Sequence, residues 1–479
     1  MLGGVLGLLV ANWGTHLLLR WAGQQFTNLQ LDTAPDLRVM LFTATICLVT
    51  GVLFGLVPAI RAMHMELNAS MQSARMSSGF GKGRLVSAGN FLVAGQIAIS
   101  LLVIFAAGLL VRSLHNLQEL DLGYARDKLL MVRLDPLAAG YDQAKVTNAS
   151  RLLVDAISAV PGVTSVTSSE NGLFSGTESG ETIVIDGMTF QKESDSDVAF
   201  DQVGPNYFSS IGIPVLLGRE IGPQDTETSP HVAVINDSMA KFYFKDTNPI
   251  GRKIRLRARE YKDKPSYEIV GVARDVKDHD IRGPVDRRFY VSLHQPISPG
   301  AALNLEIRTA VDPAGLMDSI RARIHSVDPA LPIANIRTLR EQADRVVFRE
   351  TLLAKLAGLF GGLALVLAAV GIYGLMSYLV VSRTKEIGIR MALGAKRSQI
   401  LGSVLRHSFV LAGLGVVLGV PLAFMGARAL RSILFEVGAI DPLTLGCAVC
   451  LLSSVALAAA LVPARSATRV DPMVALRHE

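Results

Sequence analysis

Three sets of residues have side chains that could do chemistry. Cys447 and Cys450 are spaced like a metal or redox pair. Asp275, Asp278 and Asp280 crowd three carboxylates into "RDVKDHD", as a cation loop would. His231, His279 and His325 could ligate or titrate. Each set lacks what its chemistry requires. The cysteine pair lies in an apolar run with no second pair and no histidine beside it, which suits helix packing. The aspartates lack the glycine and distal glutamate of a calcium loop and read as a solvated turn. No two of the histidines have ligand spacing. "GFGKGR", residues 79–84, has glycines and a lysine but not the phosphate-cradling Gly-x-x-x-x-Gly-Lys-Ser/Thr arrangement, and no Gly-x-Ser-x-Gly elbow presents a nucleophile. No catalytic residue and no metal site are expected.

A different kind of site is suggested by "RTKEIGIRMALGAKRSQI", Arg383 to Ile400, with five basic side chains and one acid between two apolar runs. Apart from Gly388 and Gly394 the peptide favours helix. Glu386 and Arg390 are four apart and can pair on one face. Ile387 and Met391 share another face, flanked by Ile389 and Leu393. Such a helix could lay its apolar side in a cleft on a partner while its charges hold register. Charge alone is equally consistent with a loop resting at the lipid surface.

The elements that would position this peptide follow from composition. The 479 residues are half hydrophobic and 18% charged, with mean hydropathy +0.38, which indicates a membrane protein. Six runs are long enough to span: Leu2 to about Trp21, Leu41 to Ile60, Phe91 to Val111, Leu353 to Val381, Val404 to about Leu430, and Leu443 to Val462. Basic residues cluster in the second-to-third loop, the fourth-to-fifth loop and the tail. Acids without bases occupy the first-to-second and fifth-to-sixth loops. The Arg383–Ile400 peptide is therefore cytoplasmic and the long polar middle lies outside. The net charge of +6 fits this asymmetry and carries no nucleic-acid signature. All three cysteines are in apolar runs, so the polar middle has no disulfide frame.

The expected organisation is two spans in 1–62, a cytoplasmic linker at 63–90, a span at 91–115, an outer domain at 116–347, and three spans in 348–479 with a charged helix at 384–397. "KLLMVRL", "ETIVIDG", "HVAVIN", "YEIVGVARDV" and "RRFYVSL" read as strands. "QAKVTNASRLLVDAISAV" and "PAGLMDSIRARIHSV" read as amphipathic helices, so the outer domain is α+β. Gly358 and Gly362, and Gly415 and Gly419, would let spans pack closely. Gly3–Gly14 matches Gly415–Gly426, and Leu56–Met71 matches Leu461–Leu476, in the same order. The expectation is one complete unit preceded by the back half of another, as in a truncated or fragmentary duplicated protein.

The charged peptide, the ending "LVPARSATRVDPMVALRHE" and the outer segments "VGPNYFSSIGIPVLLGREI" and "HVAVINDSMAKFYFKDTNPIGRKI" resemble the FtsX-like, or MacB-like, family of ABC transporter permeases. The resemblance implies an α-helical membrane protein of about six transmembrane helices with an α+β periplasmic domain of MacB-like core type, in the bacterial inner membrane. It implies a non-catalytic efflux subunit of the type VII, mechanotransmission kind. ATPase contact would fall on Thr384, Lys385, Glu386, Ile387, Gly388, Ile389, Arg390, Met391, Ala392, Leu393, Gly394 and Ala395. No cofactor is implied on this chain; ATP and Mg would sit on a partner ABC ATP-binding subunit. A second permease unit, membrane lipid, a periplasmic adaptor and an outer-membrane channel complete the implied partners. Signalling, cell-wall-hydrolase regulation and lipoprotein release are the alternative roles within the family.

Overall fold

The computed structural model describes residues 88–468 except 126, 189, 191, 246, 258–265, 298–301, 383, 394 and 439, together with isolated positions between 7 and 52. Contacts divide the chain into Met1–Phe91 and Leu92–Glu479. The two spans expected before residue 62, the linker before Ala88, Cys47 and the first copies of the repeated segments lie outside the described residues, isolated positions apart. So does the tail beyond Thr468.

The first continuous helix is α1 (Ala88–Glu119). Its apolar stretch of 31 residues is about 46 Å long and outlasts a hydrocarbon core of about 30 Å. The surplus turns leave the bilayer, and Leu114 and Leu117 join the core of the outer domain. The chain then turns at Gly123, where φ is +89° and a Cβ would lie 2.3 Å from the Asp275 carbonyl oxygen. Only glycine fits both conditions.

The outer domain runs β1 (Leu129–Leu134), α2 (Gln143–Ser158), β2 (Val163–Ser169), β3 (Ser179–Ile185), β4 (Asp197–Val203), α3 (Tyr207–Ile211), β5 (Val215–Gly218), β6 (Val232–Asn236), α4 (Asp237–Phe244), β7 (Lys253–Leu256), β8 (Tyr267–Ala273), β9 (Arg288–Ser292), β10 (Leu303–Thr309), α5 (Met317–Val327), β11 (Ile333–Thr338) and α6 (Leu339–Val346). The strands form one mixed sheet in the order β11-β1-β10-β2-β4-β3-β7-β8-β6-β9, with β5 on β8. β4 and β9, and β6 and β8, are parallel. β1 shows why its sequence is apolar throughout. Leu130, Val132 and Leu134 face a core under α2 and α5, whereas Leu129 and Met131 face the opposite core. Both sides of the strand are thus buried. A third core sets Ile183, Phe200, Ile235 and Phe289 against Met239, Tyr243 and Phe244 of α4. Helices α2 and α4 start on side-chain caps. The Asp142 carboxylate accepts from the Lys145 amide at 2.8 Å, and the Asn236 amide oxygen accepts from the Met239 amide at 3.0 Å.

Three further apolar helices follow: α7 (Phe348–Ser382), α9 (Arg397–Ala429) and α10 (Pro442–Ala467), with the short α8 (Thr384–Ala392) between α7 and α9. With α1, four described helices are long and apolar enough to cross a membrane. They bury one core that includes Leu101, Phe105, Ala368, Met376, Ala423 and Leu452. The remaining apolar side chains, Val366, Val417 and Leu451 among them, point outward, as lipid-facing positions do. Pro421 and Pro463 lie inside α9 and α10.

Candidate coupling site

α8 begins where α7 ends. The Thr384 hydroxyl donates to the Val380 carbonyl at 3.1 Å, carrying helical hydrogen bonding across the junction. The expected helix at 384–397 is shorter in the structure. It stops at Ala392, the Leu393 amide still donates to Ile389 at 3.0 Å, and the Ala395 amide donates to Arg390 at 3.0 Å. A new helix then begins, with the Lys396 amide donating to Gln399 Oε1 at 3.1 Å. This contact caps the start of α9.

On α8, Glu386 and Arg390 pair at 2.6 Å, with side chains 48% and 43% exposed. A pair this open contributes about 0.3–0.5 kcal/mol to the helix. Ile387 and Met391 pack on Val380, Ile400, Val404 and Ala467, the cytoplasmic ends of α7, α9 and α10. Gly388 is buried between them. The apolar face expected to serve a partner is therefore partly used at home. What remains open is Ile389, 47% exposed, and Leu393, 83% exposed, beside the exposed Ala392. Ala395 is half-buried. Lys385 is helical, and Gly394 lies outside the described residues.

The glycines divide in a way their motif does not reveal. A Cβ on Gly415 would lie 2.4 Å from Ile97 Cγ2, and one on Gly419 would lie 3.0 Å from Ala98 Cα. These two form the close seam between α9 and α1. Gly358 and Gly362 do not pack in this way: a Cβ on either meets nothing within 4 Å among the described residues. On α7 the contact falls at Gly361 and Gly371, against Ala107 and Gln96. The position around the helix, not the Gly-x-x-x-Gly spacing, decides which glycine meets α1. The Ser100 hydroxyl adds a bond to the Ala364 carbonyl at 3.1 Å.

The outer domain holds a buried polar cluster absent from the sequence reading. Glu306 of β10 is 0% exposed. Its Oε1 accepts from the Ser169 hydroxyl at 2.5 Å, and its Oε2 has no hydrogen-bond partner among the described residues. Asp201 of β4 accepts from the Asn171 amide at 3.0 Å. Burial pushes Asp201 up to about 7 and Glu306 up to about 8, and nearby carboxylates add to it: Glu170 and Asp278 at Asp201, and Asp201 at Glu306. Arg288 nearby is clamped between Asp278 and Glu178, each at 2.8 Å. A glutamate at an inward position of "LNLEIRT" was the available signal.

The aspartates of "RDVKDHD" are not one solvated turn. Asp275 accepts from the Ser238 amide and hydroxyl, Asp278 is held by Arg288, and Asp280 is exposed. Cys447 and Cys450 are exposed on α10.

Residues 91–327 match the MacB-like periplasmic core domain, and residues 358–472 match the FtsX-like permease C-terminal region. The chain is 24% identical over 298 residues to the uncharacterized ABC transporter permease YknZ of Bacillus subtilis, covering 60% of this chain and 72% of that protein. It is 26% identical over 310 residues to the macrolide export ATP-binding/permease protein MacB of Neisseria meningitidis serogroup B. That match covers 61% of this chain and 45% of the relative, so the chain spans less than half the length of the MacB protein. Among solved structures, the periplasmic region of MacB from Actinobacillus actinomycetemcomitans overlaps 48% of this chain and 97% of its own, at 16% identity and TM-score 0.34. MacB- and FtsX-type permeases work with ATP-binding subunits. The four apolar helices and the periplasmic core domain make this an inner-membrane protein with a periplasmic domain. With the two domain models falling on the two halves built above, the chain belongs to the FtsX-like and MacB-like family of ABC transporter permeases.

Proposed function

We propose that this chain is the permease subunit of a mechanotransmission efflux transporter, with Thr384–Ala395 as the element that receives force from an ATP-binding subunit. The observation that carries the reading is the division of labour on α8. Ile387 and Met391 fasten it to the ends of three spans, while Ile389, Leu393 and the Glu386–Arg390 pair stay open for a partner. A push on α8 is passed to α7, α9 and α10 together, because the helix is seated on all three. α7 continues upward with only Val347 between it and α6, so the push arrives at the outer domain through one nearly unbroken path.

In this reading ATP and Mg bind the partner subunit, and the cargo is handled on the outer side. The efflux assignment is supported by likeness to the macrolide export proteins. A second permease unit belongs to the assembly, and the open glycines Gly358 and Gly362 leave room for one against α7. A periplasmic adaptor and an outer-membrane channel would complete it.

The test is recovery of the cognate ATP-binding subunit with Glu386→Lys, Arg390→Glu and the two combined. Each single change should weaken co-purification and transporter-stimulated ATP hydrolysis. Unchanged co-purification together with unchanged stimulation would overturn the docking role.

A further inference from the structure

The outer domain touches the membrane helices at a place neither the family models nor the coupling site explains. Between β8 and β9 the loop at Asp280–Gly283 is held rigidly. Asp280 Oδ1 accepts from the Arg282 amide at 2.8 Å. Lys277 Nζ donates to the carbonyls of Ile281 and Gly283 at 2.9 and 2.7 Å. Ile281 is 4% exposed in the core that also contains Leu117 and Val347. From this fixed base Arg282 reaches two separate membrane arms. Its Nη1 donates to the Ile433 carbonyl, in the loop between α9 and α10, at 2.9 Å. Its Nη2 lies 2.9 Å from Oε1 of Glu350, in the first turn of α7.

The environment makes the contact more than a surface pair. The side chains are 30% and 18% exposed, and neither Arg282 Nη2 nor Glu350 Oε2 has a hydrogen-bond partner among the described residues, so the contact is an ion pair held by charge rather than by a formed hydrogen bond. A half-buried carboxylate depends on the cation beside it, because neither solvent nor a second donor replaces it fully. The same loop is also tied to α1: the Phe435 amide donates to Ser113 Oγ at 2.8 Å, Asn116 Nδ2 donates to the Glu436 carbonyl at 3.3 Å, and Arg112 pairs with Asp441 at 2.5 Å. Those three ties join span to span. Arg282 joins the outer domain to α7 and to the α9–α10 loop at once.

We propose that Arg282 is the joint that makes the outer domain follow both membrane arms, with Glu350 as its electrostatic seat. The proposal rests on the transmission reading: force entering at α8 reaches the outer ends of α7 and α9, and Arg282 obliges the domain to move with the pair. Without it the domain remains attached through α1, α7 and the packing of Phe435 against its core, but it loses the polar tie that fixes its position on the α9–α10 loop.

The experiment uses the full chain, its native cysteines replaced, reconstituted with the cognate ATP-binding subunit. Spin labels at Leu217→Cys on the outer domain and Ile440→Cys on the α9–α10 loop, both exposed, report the distance between them without nucleotide and with a non-hydrolysable ATP analogue. Arg282→Gln should broaden the nucleotide-free distribution and lose most of the ATP-driven shift. Arg282→Lys, which keeps a cation for Glu350 and a donor for the Ile433 carbonyl, should narrow the distribution again, which a purely packing role would not require. Glu350→Gln serves as the second variant if Arg282→Gln is not recovered folded. A distribution and shift equal to the parent's in Arg282→Gln, or in Glu350→Gln in its place, overturns the joint. If the parent shows no ATP-driven shift, the transmission reading fails by itself, and the nucleotide-free width still decides whether Arg282 holds the domain.

Discussion

Raising pH should loosen the outer domain through Asp201 and Glu306. Both carboxyls sit in the core at 2% and 0% exposure, and burial lifts them to about 7 and about 8. The unfolded chain releases the same protons near the ordinary carboxylate values of about 4. The folded state therefore binds more protons between those limits. Stability is full below about pH 4 and drains as pH climbs through about 7 to 8. Each retained proton withdraws about 1.4 kcal/mol per pH unit, so two carboxyls between about pH 5 and pH 7 give about 5 kcal/mol. The Asp201 charge is part of what raises Glu306, and discounting that overlap leaves about 3 kcal/mol as a lower figure. Hydrogen exchange at the amides of β4 and β10, corrected for intrinsic rates, reads this as a loss of about a hundredfold in protection. The control is Asp201→Asn with Glu306→Gln, which removes both titrations and should flatten the profile. If protection in the parent is level or rises relative to the double variant across that window, the burial argument is refuted.

Other consequences follow from single contacts. Gly419→Val would drive a methyl into Ala98 across a gap a Cβ already closes to 3.0 Å, and should cost about 1–3 kcal/mol; Gly362→Val, where a Cβ meets nothing within 4 Å among the described residues, should leave the melting temperature of the detergent-solubilised chain unchanged. Arg288→Met strands Asp278 and Glu178 and should destabilise the outer domain by about 3–5 kcal/mol in a denaturant titration. Glu386→Gln removes an ion pair between side chains that are nearly half exposed, so thermal stability should change by no more than about 0.5 kcal/mol, even as co-purification of the ATP-binding subunit falls.

The spans of α1, α7, α9 and α10 were legible because hydropathy reports the part of a helix that lipid solvates. Their full lengths were not. α1 runs on to Glu119 because Leu114 and Leu117 join the outer domain's core, and α7 starts at Phe348, where Glu350 pairs with Arg282; hydropathy sees neither. β1, β3, β6, β8 and β9 were readable from apolar runs. β2, "VTSVTSS", and β10, "LNLEIRT", were not, since their polar residues are buried in contacts supplied by distant strands. The Glu386–Arg390 pair follows from i, i+4 spacing alone. That spacing also places Ile387 beside Met391, but periodicity does not say which neighbour takes an apolar face, and here the chain's own spans take it. Gly415 and Gly358 are alike in sequence and opposite in packing for the same reason. The Asp201–Glu306 cluster joins residues far apart in sequence, and only the sheet order brings them together.

The central claim is that α8 meets an ATP-binding subunit through the side its own spans leave open. A photo-crosslinking residue placed in turn at Ile387, Ile389, Met391 and Leu393, in the assembled transporter, tests it most directly. Crosslinks to the ATP-binding subunit from positions 389 and 393, with 387 and 391 linking only within the chain, are the predicted result. Positions 389 and 393 that never reach that subunit, while it is bound and hydrolysing ATP, would contradict the account.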